Sequence, residues 1–105
     1  MNLLHIYAQE AWHDDAFIVG NRLGLEVLRE AISQALEKGR VSTYDVTGGS
    51  SVYTTDGEGY AVKIICEDSG WQEESWCSLS LPYTDELAKD DRPNREVPWD
   101  IWLQG

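Results

Sequence analysis

Basic residues are scarce in this sequence, and their scarcity excludes several classes of partner. The 105 residues include 8 Lys and Arg against 19 Asp and Glu, so the formal net charge is −11. So acidic a surface repels nucleic-acid phosphates and anionic membranes, and it favours a cationic partner. We therefore expect a basic protein as partner, no direct binding of nucleic acid, and no binding to membranes.

Cysteine and long apolar runs are also scarce. Two cysteines are too few for a disulfide scaffold. No stretch approaches the ~20 apolar residues that a membrane-spanning helix needs. A signal peptide has basic residues before its apolar region, whereas no basic residue precedes the short apolar start at Leu3 and Leu4. These absences predict a cytoplasmic protein.

The aromatic content indicates a folded domain, because disordered chains contain few aromatic residues. Five Trp and five Tyr are available for a core or an interface. A chain of 105 residues is near the common size of one domain. We therefore predict a single α+β domain over residues 1–105, with residues 92–105 as an extended C-terminal tail.

Two short strands and a helix are predicted in the first half of the chain. Residues 3–8 and 16–19 are apolar and short, which favours a hairpin of two strands. A helix follows, with Asn21 as its N-cap and Gly39 as the left-handed residue that ends it. Helical spacing predicts one core-facing set of side chains, which comprises Leu25, Leu28, Ile32, Ala35 and Leu36.

The second half of the chain is predicted to form an antiparallel β meander. β-Branched and aromatic residues between positions 42 and 55, interrupted by two glycines, lead to a hairpin turn at 56–59. Residues 60–67 and 75–81 alternate, and one antiparallel register places Cys66 opposite Cys77. The predicted order is β-β-α followed by the meander, with the helix packed on the sheet face that carries Tyr60, Val62, Ile64 and Cys66.

The acidic charge is concentrated in the middle of the chain. Residues 41–88 contain nine acidic residues against Lys63 alone, a net charge of −8, whereas residues 1–40 carry −2 and residues 89–105 carry −1. Acids and tryptophans are interleaved in the loop 67–76, where indole anchors and steering charges suit a protein interface. The predicted partner-binding residues are Glu67, Asp68, Trp71, Glu73, Glu74 and Trp76. The alternative is a solvated loop whose tryptophans fold back over the sheet edge.

Other clusters have weaker chemical signatures. Cys66 and Cys77 could fill the core as free thiols, form a disulfide or chelate a metal, although structural zinc needs four ligands. The sequence His13-Asp14-Asp15 suits either a polar turn or a general base beside a hard-cation site. Trp99 and Trp102 could dock on the sheet of their own domain or offer an apolar patch to a partner or to a second copy of the chain. We expect no enzyme activity, no catalytic or metal-binding residues and no cofactor.

The nine residues Gly20-Asn21-Arg22-Leu23-Gly24-Leu25-Glu26-Val27-Leu28 provide the one resemblance to a known family. This stretch resembles the "G-N-x-x-G-L-x-x-L" helix entry of small α+β immunity proteins of bacterial polymorphic toxin systems. The resemblance implies an acidic, cytoplasmic protein that binds and blocks a cognate toxin. It carries no site residues, because immunity surfaces differ from member to member.

These observations lead to one main functional hypothesis and several alternatives. The main hypothesis is an acidic domain that blocks a basic partner, as an immunity protein does. One alternative is an accessory domain of a phage or mobile element that imitates the charge of nucleic acid. A small metal-dependent enzyme using His5, His13, Asp14 and Asp15 is another. A structural accessory domain is the last, and the chain could be a monomer or a homodimer.

Overall fold

The longest element of the described part of the chain is a helix against which short antiparallel strands pack. The computed structural model describes residues 1–9 and 13–66. Over these residues the chain has the predicted α+β class, with one main helix. In chain order the elements are β1 (Leu4–Tyr7), β2 (Phe17–Gly20), α1 (Arg22–Lys38), β3 (Arg40–Ser42), α2 (Thr43–Val46), β4 (Val52–Tyr53), β5 (Gly59–Tyr60) and β6 (Lys63–Ile65).

Both ends of α1 are set by the local signals predicted from the sequence. At the start, the Asn21 side-chain oxygen accepts a hydrogen bond from the backbone N–H of Gly24 at 2.8 Å. At the end, Gly39 is left-handed, with φ 91°, and its N–H donates to the carbonyl of Ala35 at 2.8 Å. Each contact pairs a backbone group that the helix itself leaves without a partner. The predicted caps are therefore confirmed.

The core-facing side of α1 differs in part from the prediction. Gly24, Leu28, Ala31 and Ala35 are buried. The prediction was correct for Leu28 and Ala35 and wrong for three residues, because Leu25, Ile32 and Leu36 are exposed. Small side chains let neighbouring backbone approach the helix closely, so the contact face is the one with Gly and Ala rather than the one with the largest apolar side chains.

Two hairpins confirm two of the strand predictions within the described residues, whereas residues 43–46, assigned to the β meander, form helix α2. Strands β1 and β2 pair antiparallel, with Ile6 opposite Ile18. Strands β4 and β5 also pair antiparallel, with Val52 opposite Tyr60. The turn between β4 and β5 contains Gly57 at φ 91°, a conformation that glycine adopts without steric cost.

A third strand pair, β3 with β6, was not predicted. Val41 of β3 lies opposite Ile64 of β6, and the chain between them forms α2 and the β4–β5 hairpin. Helix α2 begins at a capping box in which Asp45 accepts from the N–H of Ser42 at 3.4 Å. The predicted pairing of residues 60–67 with 75–81, including Cys66 with Cys77, involves residues outside the described part of the chain, as does the tail 92–105.

In the described residues the core consists of two clusters, and one further side chain packs against both. The first contains Leu4, Leu28 and Val52, and the second contains Ala31, Ala35 and Val41. Ile64 packs against both, which joins β6 to the helix on one side and to the hairpins on the other. The predicted sheet face is confirmed for three of its residues, since those that pack against the clusters include Tyr60, Val62 and Ile64.

The β4–β5 hairpin is tied to the N-terminal strand. Leu3 forms an isolated parallel bridge with Tyr53, and the N–H of Tyr53 donates to the carbonyl of Asn2 at 2.8 Å. The Tyr60 hydroxyl donates to the carbonyl of Leu4, and burial raises the pKa of this phenol. Among residues 1–9 and 13–66 no helix is both long and apolar enough to cross a membrane.

Candidate functional site

The predicted partner-binding residues follow directly after the described part of the chain. Glu67, Asp68, Trp71, Glu73, Glu74 and Trp76 all lie outside the described residues. The backbone N–H of Cys66, the last described residue, donates to the carbonyl of Gly39 at 2.8 Å. Cys66, the residue that precedes this acidic segment, therefore lies beside the C-terminal end of α1.

We call residues 41–88, with their net charge of −8, the −8 segment. Three of its acids are described, and all three are exposed: Asp45, Asp56 and Glu58. Asp45 takes part in the capping box of α2, so its carboxylate has a local structural role. Asp56 and Glu58 lie in the turn of the β4–β5 hairpin, where they present two carboxylates from one short loop. Of the three described acids of this segment, Asp56 and Glu58 are the two that share one loop.

The Asp56 carboxylate is oriented by hydrogen bonds inside the hairpin turn. It accepts from the Thr54 hydroxyl and from the N–H of Glu58, the latter at 3.2 Å. The Thr54 hydroxyl is the largest cause of a lowered pKa at Asp56, followed by the N–H of Glu58. A carboxylate that accepts such bonds is stabilised in its charged form. Asp56 is thus an ordered anion in an exposed turn.

His5 connects the same turn to strand β1. Its Nε2 accepts a hydrogen bond from the N–H of Thr55 at 3.0 Å, and its Nδ1 lies 2.7 Å from the Tyr7 hydroxyl. An accepting Nε2 requires the ring proton of a neutral imidazole to be on Nδ1, which then donates to Tyr7. The imidazole therefore has a structural contact on each nitrogen. Sequence spacing did not indicate this role, since 50 residues separate His5 from Thr55.

The sequence His13-Asp14-Asp15, which was considered as an alternative metal-dependent site, lies in a connection between strands. His13, Asp14 and Asp15 are exposed in the connection before β2, and His13 has a positive φ of 67°. The carbonyl of Asp14 accepts from the Gln9 side chain at 3.5 Å. Within residues 1–9 and 13–66, no three His, Cys, Asp or Glu side chains are placed to hold a metal ion.

The remaining sequence candidates are only partly described. Cys66 is a free, half-buried thiol, whereas Cys77 lies outside the described residues. Trp99 and Trp102 also lie outside them.

One surface feature was missed by the sequence analysis. A depression of about 290 Å³ opens on the outer side of α1, and its described lining is Arg22, Leu25, Glu26 and Arg29. Arg22 and Glu26 form an ion pair at 3.8 Å across one helical turn. The signal was present in the sequence, because Arg22, Leu25 and Arg29 have the three- and four-residue spacing that places side chains on one helical face.

The described residues thus combine an ordered acidic turn with an uncovered helix surface. The turn offers carboxylates suited to the cationic side chains of a partner. The helix surface offers apolar and cationic groups in one stripe. Comparison of the chain with models of protein families, with curated proteins and with solved structures finds no match.

Proposed function

We propose that this chain is an acidic protein-binding domain that blocks a basic partner, acting as a cytoplasmic immunity protein against a cognate toxin. The observation that carries the proposal is the net charge of −8 between residues 41 and 88, where Lys63 is the sole basic residue. Such a surface raises the rate of encounter with a basic protein and disfavours phosphate-bearing partners.

The ordered hairpin turn supports the proposal. Asp56 has a lowered pKa and hydrogen bonds that orient its carboxylate before any partner arrives. A preorganised charge loses less conformational freedom on binding than a free side chain does. The turn would therefore contribute orientation and encounter rate, as charges at the rim of an interface do.

Residues 67–76, which follow Cys66, would supply the centre of the interface. Trp71 and Trp76 are the large aromatic side chains within it, and tryptophan is enriched among residues whose loss costs most binding energy. Glu67, Asp68, Glu73 and Glu74 would surround these anchors and pair with Lys or Arg of the partner. A toxin with a basic active-site cleft is the kind of partner that this arrangement would occlude.

Affinity capture from the source organism tests the binding role. The wild-type chain should recover a basic protein, and the binding constant for the purified pair should fall roughly tenfold or more when salt rises from about 0.05 to about 0.5 M. A variant that loses four charges of the proposed interface should bind much more weakly. The four substitutions are Glu67→Gln, Asp68→Asn, Glu73→Gln and Glu74→Gln.

A matched control removes the same kinds of charge from the first 40 residues. Its four substitutions, Asp15→Asn, Glu26→Gln, Glu30→Gln and Glu37→Gln, leave the −8 segment intact. This control should retain binding close to wild type. Equal weakening by both variants would show that only net charge matters, and it would contradict the proposed interface.

Growth rescue tests the immunity role separately. Expression of the captured partner alone should arrest a bacterial host, and co-expression of the wild-type chain should restore growth. The variant with four neutralised interface charges should fail to rescue. A basic partner that is harmless would leave a binding domain without an immunity role, and recovery of no basic partner would reject the binding role too.

A further inference from the structure

Helix α1 has a second face that the described core does not cover. Five side chains at alternating spacings of three and four residues lie along it: Arg22, Leu25, Arg29, Ile32 and Leu36. We call this set the α1 stripe. Its apolar members are exposed, at 42% for Leu25, 45% for Ile32 and 70% for Leu36.

The spacing distinguishes the stripe from scattered exposed residues. Alternation of three and four residues is the pattern by which a helix presents a seam to another segment. At one end of the stripe lies the 290 Å³ depression, whose described lining also includes Glu26, the ion-pair partner of Arg22. A seam of three apolar side chains and two cations beside a recess is suited to an aromatic segment with acidic side chains.

The chain itself contains a segment of that composition. Residues 96–103 read Glu-Val-Pro-Trp-Asp-Ile-Trp-Leu, with Trp99 and Trp102 as the largest side chains and two acids, Glu96 and Asp100. The acids complement Arg29 and add to the Glu26 carboxylate that already pairs with Arg22 at 3.8 Å, and guanidinium groups bind the faces of indole rings. Both the apolar and the charged requirements of the stripe are met within these eight residues.

The path of the chain brings this segment within reach. Cys66 is hydrogen-bonded to Gly39, the residue that ends α1, so the remaining 39 residues start beside the Leu36 end of the stripe. Helix α1 has 17 residues and is therefore about 25 Å long. The 29 residues of connecting chain, 67–95, can span several times that distance.

We infer that residues 96–103 dock on the α1 stripe of the same molecule. Trp99 and Trp102 cover Leu25, Ile32 and Leu36, while the two acids lie toward the arginines. The covalent connection favours this occupant over a second copy, because tethering gives an effective concentration in the millimolar range. The inference does not rest on the proposed function, since it concerns neither the hairpin turn nor residues 67–76.

A double-mutant cycle on the full-length chain tests the contact. The variants are Ile32→Ala, Trp102→Ala and their combination, with unfolding in urea as the measurement. Each single substitution should raise the unfolding equilibrium constant by some factor. Because residues in contact are coupled, the factor for the combined variant should be about fivefold smaller than the product of the two single factors. Agreement with the product to within about twofold would overturn the inference.

Leu23 provides the matched control for the cycle. It is an exposed leucine of the same helix, but its position on the helical wheel lies away from the stripe. Combining Leu23→Ala with Trp102→Ala should give the product of the single effects. Equal coupling of Trp102 to Leu23 and to Ile32 would indicate a general loss of stability and would overturn the assignment to the stripe.

Cross-linking identifies the occupant directly and does not depend on stability. A photo-reactive phenylalanine analogue is placed at Leu36, with placement at Leu23 as the control, and the irradiated protein is digested with trypsin. Cleavage after Arg95 releases residues 96–105 as one peptide. Attachment of this peptide to α1 within a monomer is expected. A cross-linked dimer, or a monomer in which Leu36 attaches elsewhere, would overturn the inference.

Discussion

The backbone carbonyl of Leu3 lies directly over Gly24 in the first turn of α1. A methyl group added to Gly24 would lie 2.0 Å from the Leu3 oxygen and 2.7 Å from its carbonyl carbon. The same oxygen accepts a hydrogen bond from the N–H of Asn21 at 3.1 Å. The N-terminal strand is thus held against the helix at a distance that only glycine permits.

Substitution of Gly24 by alanine should therefore destabilise the domain. Alanine is favoured over glycine in a helix by about 1 kcal/mol. The clash is with backbone rather than with a flexible side chain, and overpacking of this kind costs about 1–3 kcal/mol or more. We expect Gly24→Ala to lower the free energy of unfolding in urea. Ser33→Ala, at an exposed position of the same helix, should leave it unchanged or slightly higher.

Asn21 should contribute more to stability than an ordinary helix cap. Its side-chain oxygen accepts from Gly24 at 2.8 Å and from Leu3 at 3.1 Å, and its Nδ2 donates to the Met1 carbonyl at 2.8 Å. Asn21→Ala removes all three bonds and should cost about 1–2 kcal/mol in urea unfolding. Asn21→Asp keeps both accepting interactions and should cost less than half as much. Equal losses in the two variants would contradict a capping role.

His5 should control the opening of the hairpin turn. His5→Ala removes the acceptor of the Thr55 N–H, so the hydrogen-exchange rate of that amide should rise about fivefold, as expected for loss of one hydrogen bond. Tyr7→Phe removes only the group on the other ring nitrogen and should change this rate little. An unchanged exchange rate in His5→Ala would show that the contact does not order the turn.

The acidic turn should weaken at low pH. The pKa of Asp56 is lowered from its usual 3.8, chiefly by the Thr54 hydroxyl. A carboxyl with a lower pKa in the folded state stabilises it above pH 3.8, and this contribution is lost as the pH falls through the folded-state value. Thr54→Val should raise the pKa of Asp56 toward 3.8 in an NMR titration. Thr55→Val, which retains the Thr54 hydroxyl, should leave that pKa low.

Local chemistry accounts for the elements that were predicted correctly. Asn21 and Gly39 delimit α1 because each pairs backbone groups within one turn of itself. The β4–β5 turn has an equally local cause, because Gly57 adopts the positive φ that the turn requires. Helix α2 could have been found in the same way, since Ser42 and Asp45 have the spacing of a capping box.

The candidate site was predicted less completely. The sequence indicated an acidic middle segment, and the structure places Asp56 and Glu58 in one exposed turn. It could not indicate that His5 orders that turn, because the contact spans 50 residues. Whether the other acids and Trp71 and Trp76 form one surface stays a prediction, since they lie outside the described residues.

The sequence by itself determined the α+β class, the ends of α1 and the two hairpins, because each depends on residues close together in the chain. Only the tertiary structure decided which side of α1 is buried and that β3 pairs with β6. Apolar periodicity favoured Leu25, Ile32 and Leu36, but the strands pack where Gly24, Ala31 and Ala35 allow close approach. Close packing is a property of two surfaces, and the helix sequence specifies only one of them.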